Sequence, residues 1–191
     1  DILTTENFEA GFVEWTNATT GDTHNWTRNS GGTPSSGTGP DDANSGTYYA
    51  YLECSSAGGG AFTAGDTAIL ESPVIGGSDR TLTFAYHMYG ANIGTLSVDV
   101  HDGTIWNNDV WTRVGQQHGS NGAAYSQAAV DLSAYNGNIQ VRLRAVATGG
   151  YQGDVAFDDI EIYGTDVNFP PAAASNPQPA DSAIDVAIND D

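Results

Sequence analysis

Apolar and polar residues alternate along most of the first 165 positions of the chain, with a period of two. In "QVRLRAVA" (140–147), Val141, Leu143 and Ala145 fall on one side and Arg142 and Arg144 on the other. In "TLSVDV" (95–100), Leu96, Val98 and Val100 oppose Ser97 and Asp99. Successive side chains of a strand point to opposite faces, so each run reads as a strand with one buried and one wetter face. Further strand-like runs lie at 48–54, 66–75, 80–89, 111–117, 126–133 and 153–164. Helical periodicity is hard to find. Turn-forming Gly, Asn, Asp and Ser separate the runs at short intervals, as in an all-β sandwich or jelly roll built from antiparallel strands.

Three stretches depart from this alternation. "RNSGGTPSSGTGPDDANSGT" (28–47) has no apolar period, and a loop of that length is expected to be functional or disordered. "DGTIWNNDVW" (102–111) reads as a loop, or as a hairpin with Asn107–Asn108 at its tip. Beyond residue 165 the pattern gives way to Pro170, Pro171, Pro177 and Pro179 among Ala and Asn. Residues 166–179 read as a semi-rigid linker, and 180–191 as the first strand of a following module. The expected division is thus a sandwich at 1–165, a linker, and the start of an Ig-like or fibronectin-III-like unit.

Charge narrows the range of partners. The chain has 191 residues, 24 Asp plus Glu, five Arg and no Lys, for a net charge of -19. That argues against nucleic acid or an anionic membrane surface as partner, since both need basic surface. No run of 18 apolar residues is present, so no membrane-spanning helix is expected, and the first residues have no signal-peptide pattern. Cys54 is the sole cysteine, which excludes an intrachain disulfide and reads as a small buried apolar residue.

The acidic residues also pose a local problem. "GDVAFDDIEIYG" (153–164) is a strand with adjacent carboxylates, Asp158 and Asp159, in its middle. With Ala156, Ile160 and Ile162 toward the core, Asp158 shares their face. A buried carboxylate needs a neutralising partner. Cations are scarce in this chain, so a hard divalent ion such as Ca²⁺, which takes oxygen ligands, is the expected partner. Asp22, Asp41, Asp42 and Asp66 form a second acidic group that could hold an ion near the long loop, or serve as turn and capping residues.

Catalytic signatures are missing: the sequence has no G-x-S-x-G, H-E-x-x-H or Walker pattern, and His24, His87, His101 and His118 lack metal-ligand spacing. The chain reads as non-catalytic. Trp15, Trp26, Phe84 and Tyr86 are expected in the core. Trp106, Trp111, Tyr125 and Tyr151 lie in or beside loops rich in Asn, Asp and Gln, and are the candidate ligand-contacting aromatics.

Several stretches in order, among them "NFEAGFVEWTN", "HNWTRNSGGTPSSGTGPDD", "LTFAYHMYG" and "GYQGDVAFDDIEI", closely resemble the MAM domain of meprins, neuropilins and receptor tyrosine phosphatases, over about residues 6–164. The resemblance implies a jelly-roll sandwich and a role in adhesion, oligomerisation or recognition within extracellular proteins. It also implies a calcium clip in which Glu9, of a Phe-Glu motif near the start, joins Asp158, with Asp159 beside it, near the end. Animal members usually carry about four disulfide-bonded cysteines; here Glu14 stands where one often falls. That departure fits a bacterial member from a secreted multidomain protein. The expected partners are a glycan or surface polymer, or else a cell-surface protein, together with neighbouring domains of the same polypeptide.

Overall fold

The structure is a computed structural model and describes residues 1–55 and 62–165. The linker and following module expected at 166–191 lie outside the described residues. Among the described residues eleven strands make two antiparallel sheets. The larger sheet contains β1 (Ile2–Glu6), β3 (Thr27–Ser30), β4 (Tyr48–Tyr51), β6 (Ser78–Met88), β9 (Ser126–Asp131) and β11 (Val155–Thr165). Its order is β3-β4-β11-β6-β9, with β1 also pairing β11. The smaller sheet runs β2 (Thr16–Asn17), β5 (Thr67–Glu71), β10 (Gln140–Val146), β7 (Thr95–His101) and β8 (Trp106–Val114). The described residues contain no α-helix. This is the two-sheet sandwich that the alternation predicts.

The main core lies between the sheets. Val141, Leu143 and Ala145 of β10 and Leu96, Val98 and Val100 of β7 are buried there, as their alternation requires. They meet Leu82 and Phe84 of β6 and Phe157, Ile160 and Ile162 of β11. Trp15 and Trp26 are fully enclosed, with Trp26 edge-on to Phe157 at 4.4 Å between ring centroids. Burying aromatics of this size supplies about 2–3 kcal/mol each. Cys54 is buried in the same core, and burial pushes its thiol pKa up, so it packs as an apolar residue.

Two expectations need correction. Residues 106–114 form one continuous strand, β8, not a hairpin turning at Asn107–Asn108. The irregularity predicted there is present as a break in register against β7 between Val98 and Val100, with Asp109 at φ +58°. The second correction concerns β11. Val155 and Phe157 face the main core, while Ala156 packs on the opposite side against Tyr49 and Tyr51. The register against β6 slips between Asp158 and Glu161, and Asp159 sits at φ +49°. One extra residue in a strand shifts every later side chain to the other face. Ile160 and Ile162 therefore return to the main core, while Asp158 keeps the outward phase of Ala156. A strict period of two could not show this.

Candidate functional site

The long loop folds back over the outer face of the six-stranded sheet and closes a second, polar interior. Thr38 is buried, the Gly39 amide donates to the Tyr89 carbonyl at 2.9 Å, and the Asp41 amide donates to the Asn121 carbonyl at 3.0 Å. The Asn121 side-chain amide donates to the Thr38 and Gly39 carbonyls at 2.6 and 2.8 Å. These bonds tie the loop to the β8–β9 connection. Beneath it lie Tyr49 and Tyr51 of β4, Ala156 of β11 and the half-buried ring of Tyr125. His87 of β6, fully buried, stacks on His118 at 4.4 Å between centroids and 17° between planes. Burial, with His118 beside it, pushes the His87 pKa down to about 4, so the ring is neutral. His118 Nδ1 accepts the Met88 amide at 2.9 Å, which fixes it as an acceptor.

Asp158 lies on this face, and backbone amides are what meet it. Its Oδ2 accepts Asn44 N–H and Ser45 N–H at 3.0 and 3.2 Å, and its Oδ1 accepts Asp159 N–H at 2.8 Å. Asp159 accepts from the side chains of Asn44 and Ser45, both at 2.7 Å. Glu9 holds the other end of the same loop: its Oε1 accepts Thr47 N–H and Tyr48 N–H at 2.8 and 2.7 Å. Gly46, at φ +62°, lies between these anchors, and a Cβ there would come within 2.5 Å of Glu9 Oε1. The three carboxylates that the resemblance implies as metal ligands thus each accept hydrogen bonds from residues 44–48. They act on the loop from opposite ends. Among the described residues no group of three His, Cys, Asp or Glu side chains is placed together to hold a metal ion; in this arrangement Glu9, Asp158 and Asp159 act as acceptors for the loop. Burial, then Asp159, raises the Asp158 pKa to about 7, while the amides of Thr47 and Tyr48 hold Glu9 below the usual range.

Four residues earlier on the same face is Asp154, which the sequence reading did not single out. It is fully buried, and its Oδ1 accepts the Cys54 amide at 3.0 Å. Oδ2 has no hydrogen-bond partner among the described residues. Burial raises its pKa to about 7, and the nearby Glu53 pushes the same way. Glu53 is also buried; it accepts the Tyr51 hydroxyl at 2.8 Å and Ser55 N–H at 2.9 Å. Glu6 is a third carboxylate missed by sequence reasoning: it takes the amides of Phe8, Val13, Glu14 and Trp15. Glu14, at the position of the absent cysteine, accepts Thr5 N–H at 3.1 Å and so returns a link to β1. The clue was the compositional excess of acids over bases, which carries no positional information.

The remaining predicted residues are dispersed. Asp22 accepts Ile69 N–H at 3.0 Å, and Asp66 accepts Thr63 N–H at 2.7 Å and its hydroxyl at 2.9 Å. Asp42 caps its own turn through Ala43 N–H at 2.9 Å. Trp111 stands edge-on to Phe84 and Tyr86 at 5.2 and 5.4 Å, a packing role. Trp106 lies on the outer face of the five-stranded sheet, with the Arg142 guanidinium over its ring at 4.1 Å. Tyr151 is 53% exposed on a separate loop. Asp41, Asp42 and Tyr125, by contrast, come together. With Asn44, Asn121 and Ala123 they line a cleft of about 310 Å³ between the long loop and residues 121–125. The Tyr125 hydroxyl donates to the Asp42 carbonyl at 3.1 Å, fixing the ring as one wall.

Known proteins fit this architecture. Human MAM domain-containing glycosylphosphatidylinositol anchor protein 1 is 34% identical over 150 residues, covering 74% of this chain and 15% of that protein. The chain therefore spans only a small part of the relatives it matches. Among solved structures, the K3 cleaved adhesin domain of Lys-gingipain from Porphyromonas gingivalis superposes with a TM-score of 0.60 at 18% identity, covering 85% of this chain and 97% of that one. TmCBM61, solved in complex with β-1,4-galactotriose, gives 0.53 at 17% identity, covering 83% and 94%. At these identities the structural matches establish a shared fold. The family model described as "MAM domain, meprin/A5/mu" matches residues 7–167, and with the two sheets, the covering loop and the buried Asp158 in place, the chain belongs to the MAM family.

Proposed function

We propose that this chain is a non-catalytic extracellular recognition module of a larger secreted or cell-surface protein, and that it binds a glycan or surface polymer in the cleft beside Tyr125. The observation that carries this reading is the cleft lining. Asp41, Asp42, Asn44 and Asn121 place hydrogen-bonding groups beside an aromatic ring and the small side chains of Ala43 and Ala123. Saccharides offer this pairing in complement: hydroxyls to bond and C–H faces to pack on a ring. The shared fold with a module that binds β-1,4-galactotriose supports the same substrate class. Calcium enters the proposal as a stabiliser of the loop that forms one wall of the cleft.

A second reading is a protein-adhesion module. β8 is an edge strand of the smaller sheet, and Ile105 and Val114 at its two ends are 59% and 67% exposed. An edge with unpaired backbone groups and apolar ends suits strand-to-strand docking. A glycan array with and without Ca²⁺, followed by titration of Asp41→Ala, separates the two. Saturable glycan binding weakened at least about tenfold by the substitution upholds the first, since losing bonds to charged groups costs about 1.5–3 kcal/mol. Absence of any retained glycan, with self-association in ultracentrifugation, transfers the function to the β8 edge.

A further inference from the structure

The polar interior under the long loop contains an acidic pair with no counter-charge. Asp154 accepts the Cys54 amide and Glu53 the Ser55 amide, Asp154 Oδ2 is buried without a partner among the described residues, and both carboxylates are buried. Every arginine of the chain is engaged elsewhere. Arg28 donates to the carbonyls of Phe8 and Glu9, and Arg80 to those of Gly76, Gly77, Tyr135 and Gly137. Arg113 reaches the Tyr86 hydroxyl, and Arg142 and Arg144 take Asp99. The Thr33 hydroxyl, beside Asp154, donates to the Thr38 carbonyl at 3.0 Å. The oxygens gathered here are two carboxylates, the Tyr51 phenol and the Thr33 hydroxyl. Sulfur does not contribute, because the Cys54 side chain belongs to the main core on the other side of the sheet. An all-oxygen set with two carboxylates suits a hard divalent ion that accepts irregular coordination.

We propose that Asp154 and Glu53 seat a divalent cation of the calcium class beneath residues 31–41. This seat is distinct from the Glu9–Asp158 clip: four strand residues separate Asp154 from Asp158, roughly 13 Å at the rise of a β-strand. The ion satisfies Asp154 Oδ2, balances Glu53, and holds the stretch from half-buried Thr33 to buried Thr38 against β11. This seat rests on the calcium-stabilised reading above for the identity of the ion, and adds the position.

The test uses the whole chain after chelator treatment. Ca²⁺ is titrated calorimetrically, and Tb³⁺ is titrated by luminescence excited through the protein's aromatic residues, Tyr51 being a direct neighbour. The expected result is saturable binding of both ions and a higher melting temperature with Ca²⁺. Asp154→Asn should weaken binding at least about tenfold, the scale on which loss of supporting groups already acts at metal sites. Glu53→Gln, which keeps an acceptor for the Tyr51 hydroxyl, should do the same if Asp154→Asn fails to fold. Glu9→Gln and Asp158→Asn should change affinity by about twofold or less. Two outcomes overturn the proposal. If neither ion binds the wild-type chain, calcium stabilisation falls with it. If binding survives Asp154→Asn and Glu53→Gln but is lost in Glu9→Gln or Asp158→Asn, the calcium reading stands and the seat proposed here does not.

Discussion

The outer faces of the two sheets bury carboxylates in opposite ways. On the five-stranded sheet Asp99 is fully buried between Arg142 at 2.8 Å and Arg144 at 2.7 Å, with Asp109 N–H as a further donor at 2.8 Å. Burial alone would raise its pKa, but the bonds from Arg144, Asp109 and Arg142 outweigh that and leave it below the usual range. On the six-stranded sheet Asp154 and Asp158 are as deeply buried, meet only neutral donors, and have pKa values raised to about 7. One face places two of the chain's five arginines on a single acid. The other uses backbone amides, which neutralise less but fix loop geometry more closely. Where cations are rare, an acid-rich chain can still fold by turning carboxylates into loop staples, as Glu6, Glu9 and Asp158 do.

This contrast can be broken by substitution. The largest loss is expected for Asp99→Ala, which takes the buried carboxylate from two guanidinium groups and leaves Arg144 the exposed Asp109 and Arg142 the Asn108 side chain. Removing one partner of a buried charge cluster costs about 3–5 kcal/mol, readable as a lower urea midpoint. Asp158→Ala comes next, because three amides lose their acceptor; about 2–3 kcal/mol is expected, and Asp158→Asn, which retains an acceptor oxygen, should lose about half of that.

The two faces also differ in their response to pH. A carboxyl whose folded pKa lies above its unfolded value stabilises the fold when protonated. That contribution is present at low pH and is lost as pH rises through the folded value. Between pH 6 and pH 8, metal-free protein should therefore lose about 1 kcal/mol for each of Asp154 and Asp158. Asp154→Asn should remove about half of this slope in urea titrations. Below pH 6 the gain should flatten, because His87 and His118 are buried with lowered pKa values. Such histidines stabilise the fold above their unfolded pKa and oppose it as pH falls. The smallest effect is expected for Trp106→Ala, which loses the Arg142 contact at the surface: about 0.5–1 kcal/mol, with the Asp99 pair intact.

Sequence carried the fold well because alternation is strong in β7 and β10, where one face is apolar throughout. It failed where a single residue changes phase. The bulge at Asp159 moved Ala156 and Asp158 off the core face, and the break near Asp109 turned a supposed hairpin into an edge strand. Both depend on backbone conformations at positive φ adopted by aspartates, for which no glycine gave warning. The short strands β1, β2 and β3 were missed because they are held by partners distant in sequence: β1 by β11, β2 by β5 and β3 by β4. Glu9, Asp158 and Asp159 stood out as motif residues with a metal as their expected partner, while the amides at 44–48 that they meet were not legible, since an amide has no sequence signature. Asp154 looked like an ordinary residue at a strand entry; only the folded loop above it makes it buried.

The buried acids of the two faces differ in how they are neutralised, and carboxyl carbon chemical shifts report that directly. The measurement is a ¹³C NMR titration of the aspartate side chains in metal-free protein. The expected result is that Asp154 and Asp158 titrate near pH 7 while Asp99 remains ionised to below the ordinary aspartate range. Midpoints for Asp154 and Asp158 at or below the ordinary value of about 3.9 would contradict it, since they would show those acids to be as well neutralised as Asp99.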